Sequence, residues 1–291
     1  MRLRLRLFEE AQRQSVKAVA EIYGVSPRTV QRALVEHGQP KSVERQATVH
    51  KLGIDEFSVR KGQRCATGLH DLERRRLLEV VKGRANVDVQ GAVEGLADKE
   101  AIEVVSMDMS GPFRAAVELV LAEAAIVVDK YHVVARVNQA LREVWQRLVK
   151  GKGGDDPLRQ VKWLLLGKGE ELSREQRERL WGVLKQYGEL RRAWLLKEEL
   201  RRWYRQTESM VEARLQLRAW GQMLNEEGMP GETRQLQGML EGWREQILNY
   251  FQYRVTQGQV EGKNNRVKVI QRHAYGYHNF DNLRFRLLLA C

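Results

Sequence analysis

The sequence predicts an α/β fold: a mixed sheet crossed by helices, preceded by a helical pair and interrupted by an all-helical insertion. Three observations carry this expectation. Residues 51–82 alternate apolar and polar side chains in three short runs, the period of half-buried strands. Apolar strand-like runs and helical stretches then take turns up to about residue 149, as strand–helix crossovers do. From Gly151 to about Tyr250 apolar residues recur only at helical spacing.

Residues 1–40 read as a helical segment of their own. Ser15–Ile22 is a short amphipathic helix, followed by Tyr23-Gly24-Val25. Ser26 can cap a second helix with Pro27 at its first position, a strong start signal. Ala20 allows close packing, Gly24 a turn and Val30 an apolar anchor, which together make a helix-turn-helix pattern. Arg28, Gln31 and Arg32 then project outward, toward base edges and phosphates. Gln39-Pro40 opens a polar linker.

Residues 47–150 hold the first part of the sheet domain. Lys51–Val59, Arg64–Leu69 and Leu77–Lys82 read as strands, with a hairpin crossing at Asp71–Arg74. A helix at Val87–Asp98, a strand at Ile102–Met109 and a helix at Phe113–Glu123, opened by Gly111-Pro112, follow. Ile126–Asp129 is a further strand and Val133–Val149 a longer helix. The order β-β-β-α-β-α-β-α is that of a ribonuclease-H-like sheet with right-handed crossovers. Residues 151–250 form the helical insertion. All seven tryptophans lie between Trp145 and Trp243, and they read as core, as do Leu196, Leu200 and Trp203 on one helix face. Residues 251–291 return to the sheet domain with Lys263, Arg266, Lys268, Arg272, Arg284 and Arg286 interleaved with Tyr275, Tyr277 and Phe280.

Charge narrows the partner. The 50 Lys and Arg against 38 Asp and Glu leave a net charge of +12 and a pI near 9.8, which favours a polyanion through counterion release. Cys65 and Cys291 are the only cysteines, too few for a disulfide framework or a Cys-rich zinc site. No apolar run reaches the ~20 residues of a membrane span, and MRLRLRLFEE lacks the apolar core of a secretory signal. The expected home is the cytoplasm of a prokaryotic cell, on the nucleoid.

Three acids suggest the chemistry. Asp55 and Asp108 sit on strands expected to be parallel neighbours, so their carboxylates project near one another. Glu261 lies on a basic helix whose Val260, Val267 and Ile270 offer an apolar docking side. Asn265, Lys268 and Arg272 follow at i+4, i+7 and i+11, on the same helix face as the glutamate. Carboxylates gathered in this way suit a pair of Mg2+ or Mn2+ ions about 3.5–4 Å apart, which serve in-line phosphoryl displacement.

The segments IDEF at 54–57, SMDMS at 106–110, DKYH at 129–132 and VEGKNNRVKVIQRHAYGYHNF at 260–280 resemble bacterial insertion-sequence transposases of the DDE type. They are most similar to the ISL-three family, whose core is similar to the Mutator-like group. The resemblance covers about residues 15–291. It implies Asp55, Asp108 and Glu261 as a metal-binding triad holding two ions, with a helical insertion ahead of the glutamate. It also implies DNA strand cleavage followed by 3′-end strand transfer, with double-stranded DNA (element ends and target) as partner. Two ends must meet, so a homodimer is expected. Lys263 joins Asn265, Lys268 and Arg272 as expected DNA contacts.

Asp129 also ends a strand and is the alternative second acid; Asp108 is preferred because its strand should border the first. His132 either acts near the scissile phosphate or is a structural histidine between strand and helix. Members of this family usually carry a Cys-rich zinc-binding region ahead of the helix-turn-helix. No such ligands occur here, which points to a short or trimmed version. Two rivals stand beside the transposase: a nuclease or resolvase with the same core, and a catalytically decayed DNA-binding regulator.

Overall fold

The computed structural model describes residues 2–43, 48–60, 64–258, 266–270, 272 and 279–290. Its contacts divide the chain into two units, Met1–Ile126 with Val255–Cys291, and Val127–Arg254.

A mixed sheet lies mainly in the first unit, with Val127 and Val128 of its last strand counted in the second. Its strands are β1 (Lys51–Arg60), β2 (Arg64–Asp71), β3 (Arg76–Lys82), β4 (Val104–Met107) and β5 (Ala125–Val128), in spatial order β3-β2-β1-β4-β5. β1, β2 and β3 form an antiparallel meander, whereas β1 and β4 run parallel. The alternation expected of three consecutive strands is therefore present, and so is the crossover back to β1. β4 is shorter than the apolar run Ile102–Met109. Ile102 closes a 3-10 turn at Lys99–Ala101, and at the far end Ser110 N–H turns back to the Asp108 carbonyl.

The meander's second turn is fixed by one buried acid. Asp71 is fully enclosed and accepts hydrogen bonds from the amides of Glu73 (3.0 Å) and Arg74 (2.9 Å) and from the Arg74 guanidinium (3.0 Å). With those amides held, Arg75 takes a left-handed conformation at φ 55°, and the chain re-enters the sheet at Arg76.

Helices α4 (Asn86–Glu94) and α5 (Gly111–Val120) pack on each other, and α4 lies against the β2–β3 hairpin. Phe57, Ala66, Leu77 and Val80 of the sheet meet Val267 and then Leu283, Leu287 and Leu288 of the C-terminal helix (Phe280–Ala290, α13 below). Ahead of the sheet, α1 (Arg2–Arg13), α2 (Val16–Tyr23) and α3 (Pro27–Val43) enclose a small core of Leu7, Phe8, Val19, Val30 and Leu34. Phe285 and Leu289 of α13 pack against it. Ser15 caps α2 through the Ala18 amide, and Gly24 ends it at φ 62°, where a side chain is disfavoured. α3 runs on through Gln39 and Pro40 to Val43, past the point where composition suggests a linker. Gly38 is what lets it approach α13, since a Cβ there would lie 2.7 Å from Phe285 Cζ.

The second unit is helical: α6 (Lys130–Val149), α7 (Pro157–Gln160), α8 (Lys162–Leu166), α9 (Arg174–Leu184), α10 (Gly188–Gln206), α11 (Met210–Met223) and α12 (Gln235–Tyr253). α6 packs along α10 within this unit. Leu141, Val144, Leu158, Leu165, Leu180 and Leu190 form one core. Trp203, Tyr204, Tyr250 and Phe251 form an aromatic cluster with ring centroids 4.5–5.7 Å apart. Trp203 and Trp220 are buried as expected, and their indole N–H groups donate to the carbonyls of Ala213 and Leu196. Trp163 departs from the expectation, with 77% of its surface exposed.

Candidate functional site

Strand register brings the first two acids together. β1 and β4 pair in parallel with Gly53 opposite Ser106 and Ile54 opposite Met107. Asp55, midway along β1, and Asp108, just past the end of β4, are the next residues along, on strands whose spacing is about 4.8 Å. Both residues are half-buried. Side chains alternate along a strand, so Asp55 shares its face with Phe57, and Phe57 packs with Val267 and α13. That is the face on which the C-terminal segment lies. Glu56, on the opposite face, pairs with Arg84 at 3.6 Å.

The pair is closely framed. Gly68 lies directly across the antiparallel ladder from Asp55, and a Cβ there would meet the His70 ring nitrogen at 2.8 Å and Leu77 at 3.2 Å. Asp55 Oδ1 accepts from the Glu56 amide at 2.9 Å. Behind both acids sits Gln257, buried, whose Nε2 donates to the carbonyls of Ile54 (3.0 Å) and Ser106 (2.5 Å). Sequence reasoning overlooked Gln257. A glutamine four residues before an expected catalytic glutamate is no signal without knowledge of which strands it reaches.

Glu261, Lys263 and Asn265 lie outside the described residues. Beyond them, residues 266–270 are helical, Val267 is buried and Ile270 packs on the same cluster. The apolar docking side expected of that helix is thus present at both described positions, while Lys268 and Arg272 are exposed. Among the described residues no group of three or more His, Cys, Asp or Glu side chains is placed to hold a metal ion. Asp55 and Asp108 supply two hard carboxylate donors, a set that suits Mg2+ or Mn2+ better than a soft metal.

Asp129 belongs to the helical unit. It is buried and caps α6, accepting from the Tyr131 amide at 3.4 Å. Burial, and then the Asp129 charge, push the Tyr204 hydroxyl well above its ordinary pKa. His132 stands in the first turn of α6, edge-on to Tyr131 at 5.7 Å. At the N-terminus Arg28 and Arg32 are exposed, whereas Gln31 is half-buried and donates to Asn282 at 3.1 Å. Two cations of the basic C-terminal tract have structural partners instead of free surface. Arg284 binds Glu79 of β3, and the buried Arg286 donates to the Gln14 carbonyl at 3.1 Å.

A family model of the DDE, ISL3 type, described as a transposase, matches residues 52–287. The chain belongs to that transposase family. Its members most similar to this chain include the transposase for insertion sequence element IS1001 of Bordetella parapertussis, 29% identical over 282 residues that cover 92% of this chain and 68% of the relative. The transposase for insertion sequence element IS1557 of Mycobacterium tuberculosis is 24% identical over 294 residues, 91% of this chain and 66% of the relative. This transposase-family chain spans about two thirds of the length of both relatives. No helix among its described residues is long and apolar enough to cross a membrane.

Proposed function

We propose that the chain is a metal-dependent DNA transposase of an insertion sequence, acting through Asp55, Asp108 and Glu261 on a ribonuclease-H-like core. The observation that carries this reading is the parallel register of β1 and β4, which sets Asp55 and Asp108 one step beyond their last ladder pair. Gln257, four residues before Glu261 in the sequence, binds the Ile54 and Ser106 carbonyls next to the two aspartate-bearing stretches, which supports the glutamate as the third ligand.

The three carboxylates would hold a pair of Mg2+ or Mn2+ ions. Such ions would supply activation of the attacking oxygen and stabilisation of the leaving oxygen in an in-line displacement. In the first reaction a water oxygen attacks phosphorus and the phosphorus–O3′ bond breaks, freeing a 3′-hydroxyl. In the second that hydroxyl attacks a target phosphodiester, forming one phosphorus–oxygen bond as another breaks, so no external energy source is required. Lys268 and Arg272 face solvent and would balance phosphate charge. Lys263 and Asn265 would join them on the DNA backbone. α2, the Gly24 turn and α3 act as a helix-turn-helix, with Arg28 and Arg32 free to reach DNA and Gln31 shared with Asn282. The substrate is double-stranded DNA, both element ends and target, and a homodimer brings the two ends together.

The test uses purified protein, Mg2+ and DNA carrying matched element ends. Cleavage followed by joining of the 3′-end to a target is the expected result, and full activity in Asp55→Asn or Glu261→Gln protein would overturn the proposal. Cleavage without joining identifies a nuclease instead.

A further inference from the structure

We propose that Gln257 is a positioning residue which fixes the separation of the acid-bearing stretches of β1 and β4 where their ladder ends, and thereby the affinity of the site for its divalent ions. The inference rests on the reading of Asp55 and Asp108 as metal ligands.

The last ladder pair between β1 and β4 joins Ile54 and Met107, and past it backbone pairing no longer holds the two strands at a set distance. Gln257 supplies a bond at that position. Its amide nitrogen carries two hydrogens, one for the Ile54 carbonyl at 3.0 Å and one for the Ser106 carbonyl at 2.5 Å. The two oxygens belong to different strands, so a single planar group spans the seam. The Ile54 carbonyl is part of the peptide that leads directly into Asp55, and Ser106 is two residues before Asp108. A shift of either strand at this point would have to break one of these bonds.

The chemistry of the contact argues for placement over stability. Gln257 is 4% exposed, and its own Oε1 is buried with no hydrogen bond among the described residues. A buried, half-satisfied amide is a poor way to fill a core. It is a good way to bridge two carbonyls, because its donors are rigidly coplanar and its stem reaches out of a third chain segment. Groups that orient metal ligands without touching the ion typically change metal affinity about 10–100-fold when removed.

The experiment measures Mn2+ binding to the full chain, by the paramagnetic signal of the free ion, alongside thermal unfolding. Wild-type protein is compared with Asp55→Asn, Gln257→Leu and Val80→Ala. Val80 is buried in the same unit on β3, away from the β1–β4 seam, so its truncation lowers stability without touching the two carbonyls. The expected result is a dissociation constant raised about tenfold or more in Gln257→Leu and unchanged in Val80→Ala. Where Gln257→Leu does not fold, Gln257→Met serves; it keeps the unbranched stem and removes both donors. Wild-type affinity in the Gln257 variant, or an equal loss in Val80→Ala, overturns the proposal. Absence of Asp55-dependent Mn2+ binding in the wild type overturns the metal-site reading itself, a separate and distinguishable failure.

Discussion

Lys197 offers the sharpest energetic test of the helical unit. Its side chain is fully buried, with Nζ 2.7 Å from the Leu165 carbonyl, 2.6 Å from the Gly167 carbonyl and 2.6 Å from Glu198. The ammonium thus ties the C-terminal end of α8 to α10. Replacing it with methionine keeps most of the stem's volume but leaves two carbonyls and a mostly buried carboxylate without their shared donor. Removing one member of a buried ion pair costs about 3–5 kcal/mol. All seven tryptophans lie in this unit, so tryptophan fluorescence during urea unfolding reports on it selectively. With a slope of about 2 kcal/mol per molar urea, the midpoint should fall by about 1.5–2.5 M. The double variant Lys197→Met/Glu198→Gln removes the stranded charge and should recover part of the loss. Burial, only partly countered by Glu198, holds the Lys197 pKa below its ordinary 10.5. The unfolded chain therefore binds the proton more tightly, and this group's contribution to stability rises with pH between the folded value and 10.5. Lys197→Met should lack that rise. A single-variant loss under about 1 kcal/mol, or a double variant as unstable as the sum of its parts, would refute the account.

Glu170 should behave in the opposite sense. Burial raises its pKa, but the hydrogen bond from Arg201 and the charges of Arg201 and Arg205 outweigh it and bring the value to about 2. Stability from this cluster is full above the ordinary 4.5 and lost as pH falls toward 2. Its side chain is 35% exposed, so solvent screening limits the loss in Glu170→Gln to about 1 kcal/mol at pH 7, read from the same fluorescence midpoints, and the gap should close near pH 2. Asp71→Ala removes the acceptor of two turn amides and should destabilise the sheet unit by about 2–3 kcal/mol, measured by far-ultraviolet circular dichroism. Asp108→Asn should slow strand cleavage at least about a hundredfold, from a loss of about 3 kcal/mol or more in the transition state. Asp129→Asn keeps the helix cap, because asparagine caps as well as aspartate, and should cleave at near wild-type rates. The reverse result would make Asp129 the second acid.

The site was partly legible. Asp55 and Asp108 stand out because each follows an apolar strand-like run, although β1 runs on past Asp55 to Arg60 whereas β4 stops just before Asp108. Gln31 reads as free surface in the sequence because its hydrogen-bond partner, Asn282, lies 251 residues away. Arg284 and Arg286 read as part of a basic tract for the same reason: charge is local in sequence, whereas their partners Glu79 and Gln14 come from other segments. Trp163 shows the reverse error, since helical spacing marks a face without saying whether anything covers it.

Local sequence carries the order of strands and helices, the Ser26 cap with Pro27 at the first position of α3, the turn near Asp71 and the basic character of the tail. Each follows from forces acting over a few residues: apolar period, φ restriction, capping hydrogen bonds. The strand order already points to β1 and β4 as parallel neighbours, but the register that pairs Ile54 with Met107 and the Gln257 bridge across the seam come only from the tertiary structure. Register depends on which surfaces are buried together across the chain, and no local stretch of residues carries that choice.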